Sequence, residues 1–321
     1  MYQKAKPLFF RTETPMHVGS GSDLGHIDLP IQREKHTSFP NIQSSSLKGA
    51  LREHIEQRVD TDAKRIGIQI TFGYDDDGAN GKVKSFFSDK EDKDYSGSLA
   101  FTDARLLLFS IKSYKGVFAL ATCPMIIDKL YKELNHVCNP NIGFKNFKFD
   151  LNDNVAVSDS NFLSIDGGGK IILEEYSFDI DKENKASELA KELAILLGVE
   201  EIKNRLVVLP DEVFRDFVVL STEVITRTKI QNDTGTVQGG ALFTEEYLPA
   251  ESYMYSIVAA SRVFYQNNNS KEQKVKDFSD VNISSADEVL NFFDNNRGNV
   301  AQIGGSRTLG KGIVKFLKSK S

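Results

Sequence analysis

The chain has 321 residues, of which 40% are hydrophobic and 26% are charged, and its formal net charge is −5. This composition is typical of a globular protein with a sizeable core, and the net charge excludes a protein that is basic over its whole surface. No run of apolar residues approaches the ~18 that a membrane-spanning helix needs, and residues 1–15 lack the apolar segment of a signal peptide. We therefore expect a cytoplasmic protein with no membrane contact.

Two further features of the composition limit the function. Cys123 and Cys138 are the only cysteines. They are too few for a disulfide framework or a zinc site, so we expect buried free thiols in a reducing compartment. Residues 297–321 carry six lysines and arginines and no acid, whereas acidic residues concentrate at 74–78 and 89–94. Because local charge matters more than the sum, the C-terminal segment permits an anionic partner.

Strands and helices alternate along the chain in a pattern typical of an α+β protein. Residues 6–14 alternate as a strand, residues 17–43 form a long polar loop, and a helix with favourable serine N-caps follows at 44–59. We find no linker and no repeat of fixed period. We therefore expect a single domain over 1–321, with helices packed on a mostly antiparallel sheet. Further strands are predicted at 97–112, 116–124, 170–180, 205–210, 218–230, 245–260 and 312–318, and further helices at 124–137, 183–198 and 285–296.

The polar loop is rich in residue types that carry chemistry. His17, Asp23, His26, Asp28 and His36 are of types that bind divalent metals. No helix fixes their spacing, however, so the pattern by itself is a weak indication of a metal site, and ordinary polar loop residues are the favoured interpretation for most of them. No G-x-S-x-G or G-x-G-x-x-G motif in a strand context supports a serine hydrolase or a dinucleotide-binding protein.

The C-terminal stretch GGSRTLGKGIVKF (304–316) has some features of a phosphate-binding loop. Gly305, Gly310 and Lys311 satisfy G-x-x-x-x-G-K. Gly312, however, stands where a P-loop needs Ser or Thr, and a strand pattern follows instead of a helix. A nucleotide-hydrolysing P-loop is therefore not expected. The stretch is either a plain turn or a loop whose backbone N–H groups and cations contact a phosphate backbone.

Two other features leave a structural and a functional interpretation open. Residues 228–249 hold three glycines between two strand-like halves, which predicts either an ordinary long hairpin or a finger that projects into a partner. Lys48 and Arg52 lie four residues apart and share one face of the first predicted helix. They form either a solvated surface or a face that contacts phosphates.

Four stretches, which together span nearly the whole chain, carry a family resemblance. They are TPMHVGSGSDLGHIDLPIQREKHTSFPNIQSSSLKGALR (14–52), GSLAFTDARLLLFSIKSYKGVFALATCP (97–124), EEYLPAE (245–251) and IGGSRTLGKGIVK (303–315). With them the chain resembles the RAMP superfamily of CRISPR proteins, and more specifically the backbone subunits of type III-B (Cmr) effector complexes. The resemblance implies a modified ferredoxin-like (RRM-like) fold with a helix near 66–73, where alternation alone suggests a strand. Residues 139–170 match nothing that the resemblance assigns, and this unassigned stretch is either an insertion or a subunit contact.

The resemblance also implies an activity and a site. Such subunits stack into a filament along a guide RNA, and base pairing with the guide selects a target RNA that each copy cuts once, leaving a cyclic phosphate. Residues 17–43 would be the catalytic loop, in which Asp28 matches the essential aspartate of the family. It is expected to hold Mg²⁺ or another divalent metal near the scissile phosphate, or to act as general base. His17 is a weaker candidate for acid–base catalysis, and Glu245 and Tyr247 match positions near the cut.

The same resemblance assigns partners. The hairpin at 228–249 resembles the family's thumb, which would wedge into the guide–target duplex. The expected partners are guide (CRISPR) RNA, target RNA, other copies of the chain and other subunits of the complex. The residues expected to contact the guide phosphates are Lys48, Arg52, Gly304, Gly305, Arg307, Gly310 and Lys311.

Three alternatives remain at the level of the sequence. The subunit could bind guide RNA as a scaffold without cutting, although the presence of Asp28 favours cleavage. It could be a stand-alone RAMP nuclease that processes guide precursors, but such enzymes usually rely on histidine and need no metal. It could also be a backbone subunit of the related type III-A (Csm) complexes, although the length of the chain and the sequence PIQREKHTSFP (30–40) favour type III-B.

Overall fold

The computed structural model describes residues 2–22, 25–74, 81–87, 95–138, 142–181, 185–228, 230–231, 233–234, 236, 242–263 and 283–318. Across these ranges the buried apolar side chains form one continuous hydrophobic cluster. Helices pack on a large sheet, so the α+β class is confirmed. Among the helices of these ranges, none combines the length and the apolar character that crossing a membrane requires.

The secondary structure follows the predicted alternation with several additions. The strands are β1 (Lys4–Thr12), β2 (Asn41–Ile42), β3 (Gly73–Tyr74), β4 (Tyr95–Ser96), β5 (Leu99–Phe101), β6 (Ala104–Lys112), β7 (Phe118–Thr122), β8 (Ala156–Val157), β9 (Lys170–Leu173), β10 (Tyr176–Asp179), β11 (Leu206–Val208), β12 (Glu223–Arg227), β13 (Phe243–Tyr247), β14 (Tyr253–Ala260), β15 (Val300–Gln302) and β16 (Ile313–Phe316). The helices are α1 (Ser44–Glu56), α2 (Asp62–Phe72), α3 (Gly81–Phe87), α4 (Pro124–His136), α5 (Ser160–Leu163), α6 (Ala186–Leu197), α7 (Ile202–Arg205), α8 (Asp211–Leu220) and α9 (Ala286–Arg297).

The main sheet has the strand order β15–β16–β1–β14–β6–β7–β11–β8, with β2 paired to β6 and β5 paired to β14. Neighbours are antiparallel apart from β7 and β11, which run parallel. Helix α9 packs on β14, α1 and α2 pack on β5, α4 packs on β6, and α6 packs on β8 and β11. Strand β14 is buried along its whole length and carries the centre of the core.

Residues 66–73 are helical, as the family resemblance implies and the alternation does not. They belong to α2, whose N-terminus is capped by the Thr61 side chain. Every residue from Ile66 to Phe72 is buried, because α1, α3, α9 and β5 surround the helix. A helix buried on all sides has no polar face, so its sequence lacks a helical period.

Four predicted strands are divided differently. Residues 97–112 form two strands, β5 and β6. Residues 170–180 form the hairpin β9–β10, which turns at Glu174 with a φ of +50°. The predicted strand at 218–230 begins as the last turn of α8 and only then continues as β12. The predicted strand at 245–260 is β13 followed by β14, with Glu251 in a left-handed conformation between them. Valine and leucine runs fit either structure, so periodicity places such boundaries poorly.

The stretch at 139–170 is tied to the core over its described part. Phe144, Phe147 and Leu151 are buried, and the Asn135 side chain of α4 donates to the Phe144 carbonyl oxygen. Strand β8 in this stretch pairs with β11 at the edge of the main sheet. This stretch therefore covers α4 and extends the sheet.

The two cysteines, Cys123 and Cys138, are buried and free, as the sequence predicts. Burial raises the pKa of both thiols above the ordinary value of 9.0, that of Cys138 to about 12. Because the thiolate is the reactive form, neither cysteine is a nucleophile or metal ligand at neutral pH.

The long loop (residues 17–43) is attached to β13 and its continuation. Just before the loop, Met16 exchanges two backbone hydrogen bonds of 2.9 Å with Leu248. In its middle, the Leu29 N–H donates to the Thr244 carbonyl oxygen, and the Leu29 carbonyl oxygen accepts from the Glu246 N–H, both at 3.0 Å. The long loop is therefore a packed element with strand-like pairing.

One buried carboxylate fastens the middle of the long loop. Glu246 is 2% exposed, and its Oε2 atom accepts from the Ile31 N–H at 2.9 Å. Its Oε1 atom accepts from the Arg33 guanidinium at 2.5 Å and from the Thr222 hydroxyl at 2.7 Å. Arg33 also donates to the carbonyl oxygens of Ser38 and Val218. Since a buried charge is tolerated only when it is paired and hydrogen-bonded, these bonds hold the loop in one arrangement.

We expect Glu246→Ala to lower the free energy of unfolding by about 3–5 kcal/mol, because the substitution leaves Arg33 without its buried counter-charge. Urea denaturation followed by circular dichroism measures this change. Limited proteolysis should also show faster cleavage within residues 18–43. Glu175→Ala is the matched control, because Glu175 is exposed and its loss should change stability by less than about 0.5 kcal/mol. Equal effects of the two substitutions would contradict the role given to Glu246.

Candidate functional site

Strand β13 organises the residues predicted for catalysis. Side chains alternate between the two faces of a strand, so Thr244 and Glu246 share one face, and Glu245 and Tyr247 share the other. The first face contacts the middle of the long loop. The second contacts the start of the long loop and the glycine-rich loop (residues 304–312).

Asp28 is exposed and is held by one residue of β13. Its Oδ2 atom accepts from the backbone N–H of Thr244 at 2.7 Å and from the Thr244 hydroxyl at 2.9 Å. The Asp28 N–H donates to the same hydroxyl oxygen at 3.0 Å. These bonds, the backbone one first, hold the pKa of Asp28 below its ordinary value of 3.8. The carboxylate is therefore charged at neutral pH, and its Oδ1 atom accepts no hydrogen bond from the described residues.

His17 is buried at the start of the long loop, and its ring nitrogens have different neighbours. Nδ1 lies 2.7 Å from the carbonyl oxygen of Glu246. Because a carbonyl oxygen only accepts, Nδ1 carries a proton. Nε2 lies 3.7 Å from Oε1 of Glu245. Nε2 therefore faces a carboxylate oxygen, while Nδ1 is occupied by the Glu246 carbonyl.

Glu245 and Tyr247 are buried and bind each other. The Tyr247 hydroxyl donates to Oε2 of Glu245 at 2.5 Å, and Nε of Arg227 lies 2.7 Å from that oxygen. Oε1 of Glu245 accepts from the Ser306 hydroxyl at 3.3 Å. Nζ of Lys311 lies 4.8 Å from the centre of the Tyr247 ring. Burial, and then the bond to Glu245, raises the pKa of Tyr247 above its ordinary value of 10.0, so its hydroxyl stays protonated.

The glycine-rich loop packs against the start of the long loop. Gly304 has a φ of +87°, and a Cβ atom there would lie 2.2 Å from the carbonyl oxygen of His17, so this position requires glycine. The Gly305 N–H donates to the same oxygen at 2.8 Å. Around Gly310, by contrast, no described atom lies within 4 Å of the Cβ position. The loop is thus anchored at both ends, since the Gly312 N–H donates to the Pro15 carbonyl oxygen at 2.9 Å, and it is open around Gly310.

The two cations of the glycine-rich loop have separate partners. Arg307 is exposed, donates to Oε1 of Gln57 at 2.8 Å and lies 3.5 Å from Glu53 on α1. Lys311 is half-buried over Tyr247. The ion pair of Arg307 is exposed and contributes little to stability, so its guanidinium is available to another anion.

Lys48 and Arg52 share a face of α1, as predicted, but they line a different region. Nζ of Lys48 donates to the Leu99 carbonyl oxygen at 3.0 Å, and Arg52 donates to the Gly73 carbonyl oxygen and to Gln69. Both residues border a cavity of about 670 Å³. Burial, and then the charge of Arg52, lowers the pKa of Lys48 from its ordinary value of 10.5. Among the described residues, neither cation forms a hydrogen bond or ion pair with Asp28 or His17.

The structure thus brings Asp28, His17, Glu245 and Tyr247 onto β13 and its neighbours. It does not assemble a metal site from protein ligands alone: in the described ranges, no three His, Cys, Asp or Glu side chains are grouped to hold an ion. Asp28 offers one free carboxylate oxygen. Mg²⁺ commonly binds through one or two carboxylates together with substrate phosphates and water, so Asp28 fits a cation that arrives with RNA.

Sequence reasoning missed Thr244, Glu246 and Arg227. The available signal was the strand FTEEY (243–247), in which two adjacent glutamates stand between aromatic residues. Two carboxylates on opposite faces of one buried strand require a cationic partner on each side. That argument predicts two arginines without saying which, since Arg33 and Arg227 come from distant parts of the chain.

Comparison with known proteins gives consistent relatives over the whole chain. The family model of the RAMP superfamily matches residues 9–315. The chain is 34% identical to the CRISPR system Cmr endoribonuclease Cmr4 of Pyrococcus furiosus, over 97% of this chain and 95% of that protein. It is 26% identical to the CRISPR system CMR subunit Cmr4 of Saccharolobus solfataricus, over 98% and 96% of the two chains.

Solved structures agree with these relatives in fold. A crystal structure of oligomeric Cmr4 from Pyrococcus furiosus superimposes with a TM-score of 0.66 at 28% identity, covering 98% of each chain. A chain of the type III-B Cmr-beta complex bound to cognate target RNA superimposes with a TM-score of 0.65 at 22% identity, covering 98% of this chain and 97% of that one. The resemblance noted in the sequence is confirmed: the chain belongs to the RAMP superfamily and, within it, to the Cmr4 family of type III-B CRISPR systems.

Proposed function

We propose that this chain is the backbone subunit of an RNA-guided type III-B effector complex, in which it binds guide RNA and cuts complementary target RNA. Its 34% identity to a protein named an endoribonuclease, over 97% of the chain, supports the activity. The observation that carries the site is Asp28: an exposed, charged carboxylate with one oxygen bound to Thr244 and the other free of described partners.

The assembly follows from the same relatives. A similar solved structure is described as oligomeric and another as bound to target RNA, so the partners are other copies of the chain, guide RNA, target RNA and further subunits. In this proposal the main sheet is a modified ferredoxin-like (RRM-like) core, and β12 and β13 form the base of a thumb hairpin. Residues 229, 232, 235 and 237–241 of that hairpin lie outside the described residues.

Phosphate contacts would come from two regions of the chain. The glycine-rich loop supplies Gly304, Gly305 and Gly310, together with the cations of Arg307 and Lys311. The second region is the cavity lined by Lys48 and Arg52. Contacts to phosphates position RNA without reading its sequence, and base pairing to the guide supplies the specificity.

The proposed reaction is transesterification within the target strand. The 2′-oxygen attacks the neighbouring phosphorus, the bond from phosphorus to the 5′-oxygen breaks, and the products are a cyclic phosphate and a 5′-hydroxyl. The protein has to hold the strand in line and stabilise charge on the phosphorane. A divalent cation, bound between Asp28 and RNA phosphates, would supply electrostatic stabilisation of that charge.

The other predicted catalytic residues differ in how many of their polar atoms already have hydrogen-bond partners. Glu245 and Tyr247 have their polar atoms bound to each other, to Arg227 and to Ser306, so we assign them to positioning. His17 keeps Nε2 for proton exchange beside Glu245. It is the candidate for protonating the leaving 5′-oxygen.

Asp28 suits a role in binding a cation better than a role as general base. A general base works best when its pKa lies near the working pH, whereas the hydrogen bonds of Thr244 lower the pKa of Asp28 below 3.8. The same hydrogen bonds stabilise the charged form that a cation requires.

We expect Asp28→Ala to lower target cleavage at least about a hundredfold in the reconstituted complex, because the charge that stabilises the phosphorane is lost. Gel analysis of a labelled, guide-complementary RNA measures cleavage, and filter binding measures target affinity, which should be unchanged. Asp153→Ala, at an exposed aspartate on another part of the surface, is the control and should cut normally. EDTA should stop the wild type, and excess Mg²⁺ should restore it. If the wild type binds target RNA without cutting it, the chain is a scaffold subunit. If it cuts in the presence of EDTA, it is a histidine-based RAMP nuclease.

A pH profile separates the two roles of Asp28. With its pKa lowered, the carboxylate stays charged from about pH 5 to about pH 8, so its own titration changes nothing in this range. In a His17→Ala variant, which lacks the other proposed proton-transfer group, the 2′-OH proton leaves to solvent base if Asp28 only binds the cation, and the single-turnover rate should rise continuously with pH. A rate that is flat over this range would show that Asp28 accepts the proton.

A further inference from the structure

We infer that Thr244 is the positioning residue for Asp28: its hydroxyl and N–H fix the carboxylate of the long loop so that the free oxygen meets the RNA-bound cation. This inference rests on the proposed function. It assigns a task to a residue that makes no direct contact with the reacting atoms.

Thr244 binds Asp28 through its N–H and its hydroxyl, and it binds Leu29 through its carbonyl oxygen. Its N–H and its hydroxyl both donate to Oδ2, at 2.7 Å and 2.9 Å. Its hydroxyl oxygen accepts from the Asp28 N–H, and its carbonyl oxygen accepts from the Leu29 N–H, each at 3.0 Å. The side chain and the backbone of the aspartate are therefore fixed by the same residue.

The need for such a fixed point comes from exposure. Asp28 lies in a loop, is solvent-exposed and has no ion-pair partner among the described residues. An exposed carboxylate without anchors samples several rotamers and loses entropy when it binds a cation. Two hydrogen bonds to one oxygen remove most of that freedom in advance, and sites built on regular elements hold their geometry better than sites on loops.

The strand supplies this rigidity. Thr244 lies in β13, opposite Thr226 of β12 in the register of the hairpin. Two residues further on, Glu246 fastens the continuation of the long loop. The long loop is thus held at two points of one strand, and Thr244 is the point nearest the reactive carboxylate.

The test compares Thr244→Val, which keeps the shape but removes the hydroxyl, with Thr244→Ser, which keeps the hydroxyl. In the reconstituted complex with Mg²⁺, we expect Thr244→Val to lower the single-turnover cleavage rate about tenfold, as for loss of a hydrogen bond to a charged group. Target affinity should change less than about twofold. Thr244→Ser should restore most of the rate. Thr61→Val is the matched control, because it removes the threonine hydroxyl that caps α2, outside the site and the hairpin, and it should cut like the wild type.

A double-mutant cycle shows whether Thr244 acts through Asp28. In an Asp28→Ala background, Thr244→Val should cause no further loss, because the group that it positions is already gone. Normal cutting by Thr244→Val, or equal losses in Thr244→Val and Thr61→Val, would overturn this inference. Normal cutting by Asp28→Ala would instead overturn the proposed function, so the two failures are distinguishable.

Discussion

The two faces of strand β13 contact the long loop and the glycine-rich loop, which are far apart in the sequence. The candidate site forms because both loops pack against this strand. Thr244 and Glu246 bind the middle of the long loop, while Glu245 and Tyr247 bind His17 and the glycine-rich loop. Because a strand has a period of two residues, a shift of one residue would exchange the faces and remove all these contacts together. The register between β12 and β13, from Glu223 opposite Tyr247 to Arg227 opposite Phe243, therefore sets the geometry of the site.

The two buried glutamates of β13 restrict how the segments around this strand can pack. Adjacent carboxylates repel each other and are costly to remove from water. Glu245 has Arg227 at 2.7 Å on one face, and Glu246 has Arg33 at 2.5 Å on the other. Such pairs add little net stability compared with apolar residues, but an arrangement that leaves either of them unpaired is strongly disfavoured. The charges thus disfavour any packing of the long loop and the β12–β13 hairpin that separates either glutamate from its arginine.

The sequence predicted those parts of the fold in which one face is buried and one is wet. Helix α1 shows this, because Leu47, Leu51 and Ile55 form its stripe and all three are buried. From Ile66 to Phe72, helix α2 has no solvent-exposed face. Its apolar residues therefore alternate by chance, and only the family resemblance indicated a helix. Helix α8 was missed at 211–220, where its final residues, VVL, have the composition of a strand.

The residues of the candidate site also differ in whether the sequence could predict them. Asp28, His17, Glu245 and Tyr247 could be named from the resemblance, because they match its motifs. Thr244 could not, since a threonine in a strand is ordinary. Its importance comes from a contact that spans 216 residues of sequence, and neither composition nor periodicity contains long-range contacts. Residues that position others are generally hidden in this way, because their chemistry is unremarkable until the partner is known.

A net negative charge on the chain is compatible with its binding to RNA. The net charge is −5, yet residues 297–321 hold six lysines and arginines without an acid. At physiological ionic strength, charges further apart than about 8 Å are largely screened. Arg307 and Lys311 are therefore affected mainly by near charges, such as Glu53 at 3.5 Å from Arg307. In the proposed filament each copy needs only a few phosphate contacts, because neighbouring copies bound to the same strand repeat them and the affinities multiply. Since the guide reads the target by base pairing, the chain is free to use its remaining charged residues for packing, as Glu246 and Arg33 do.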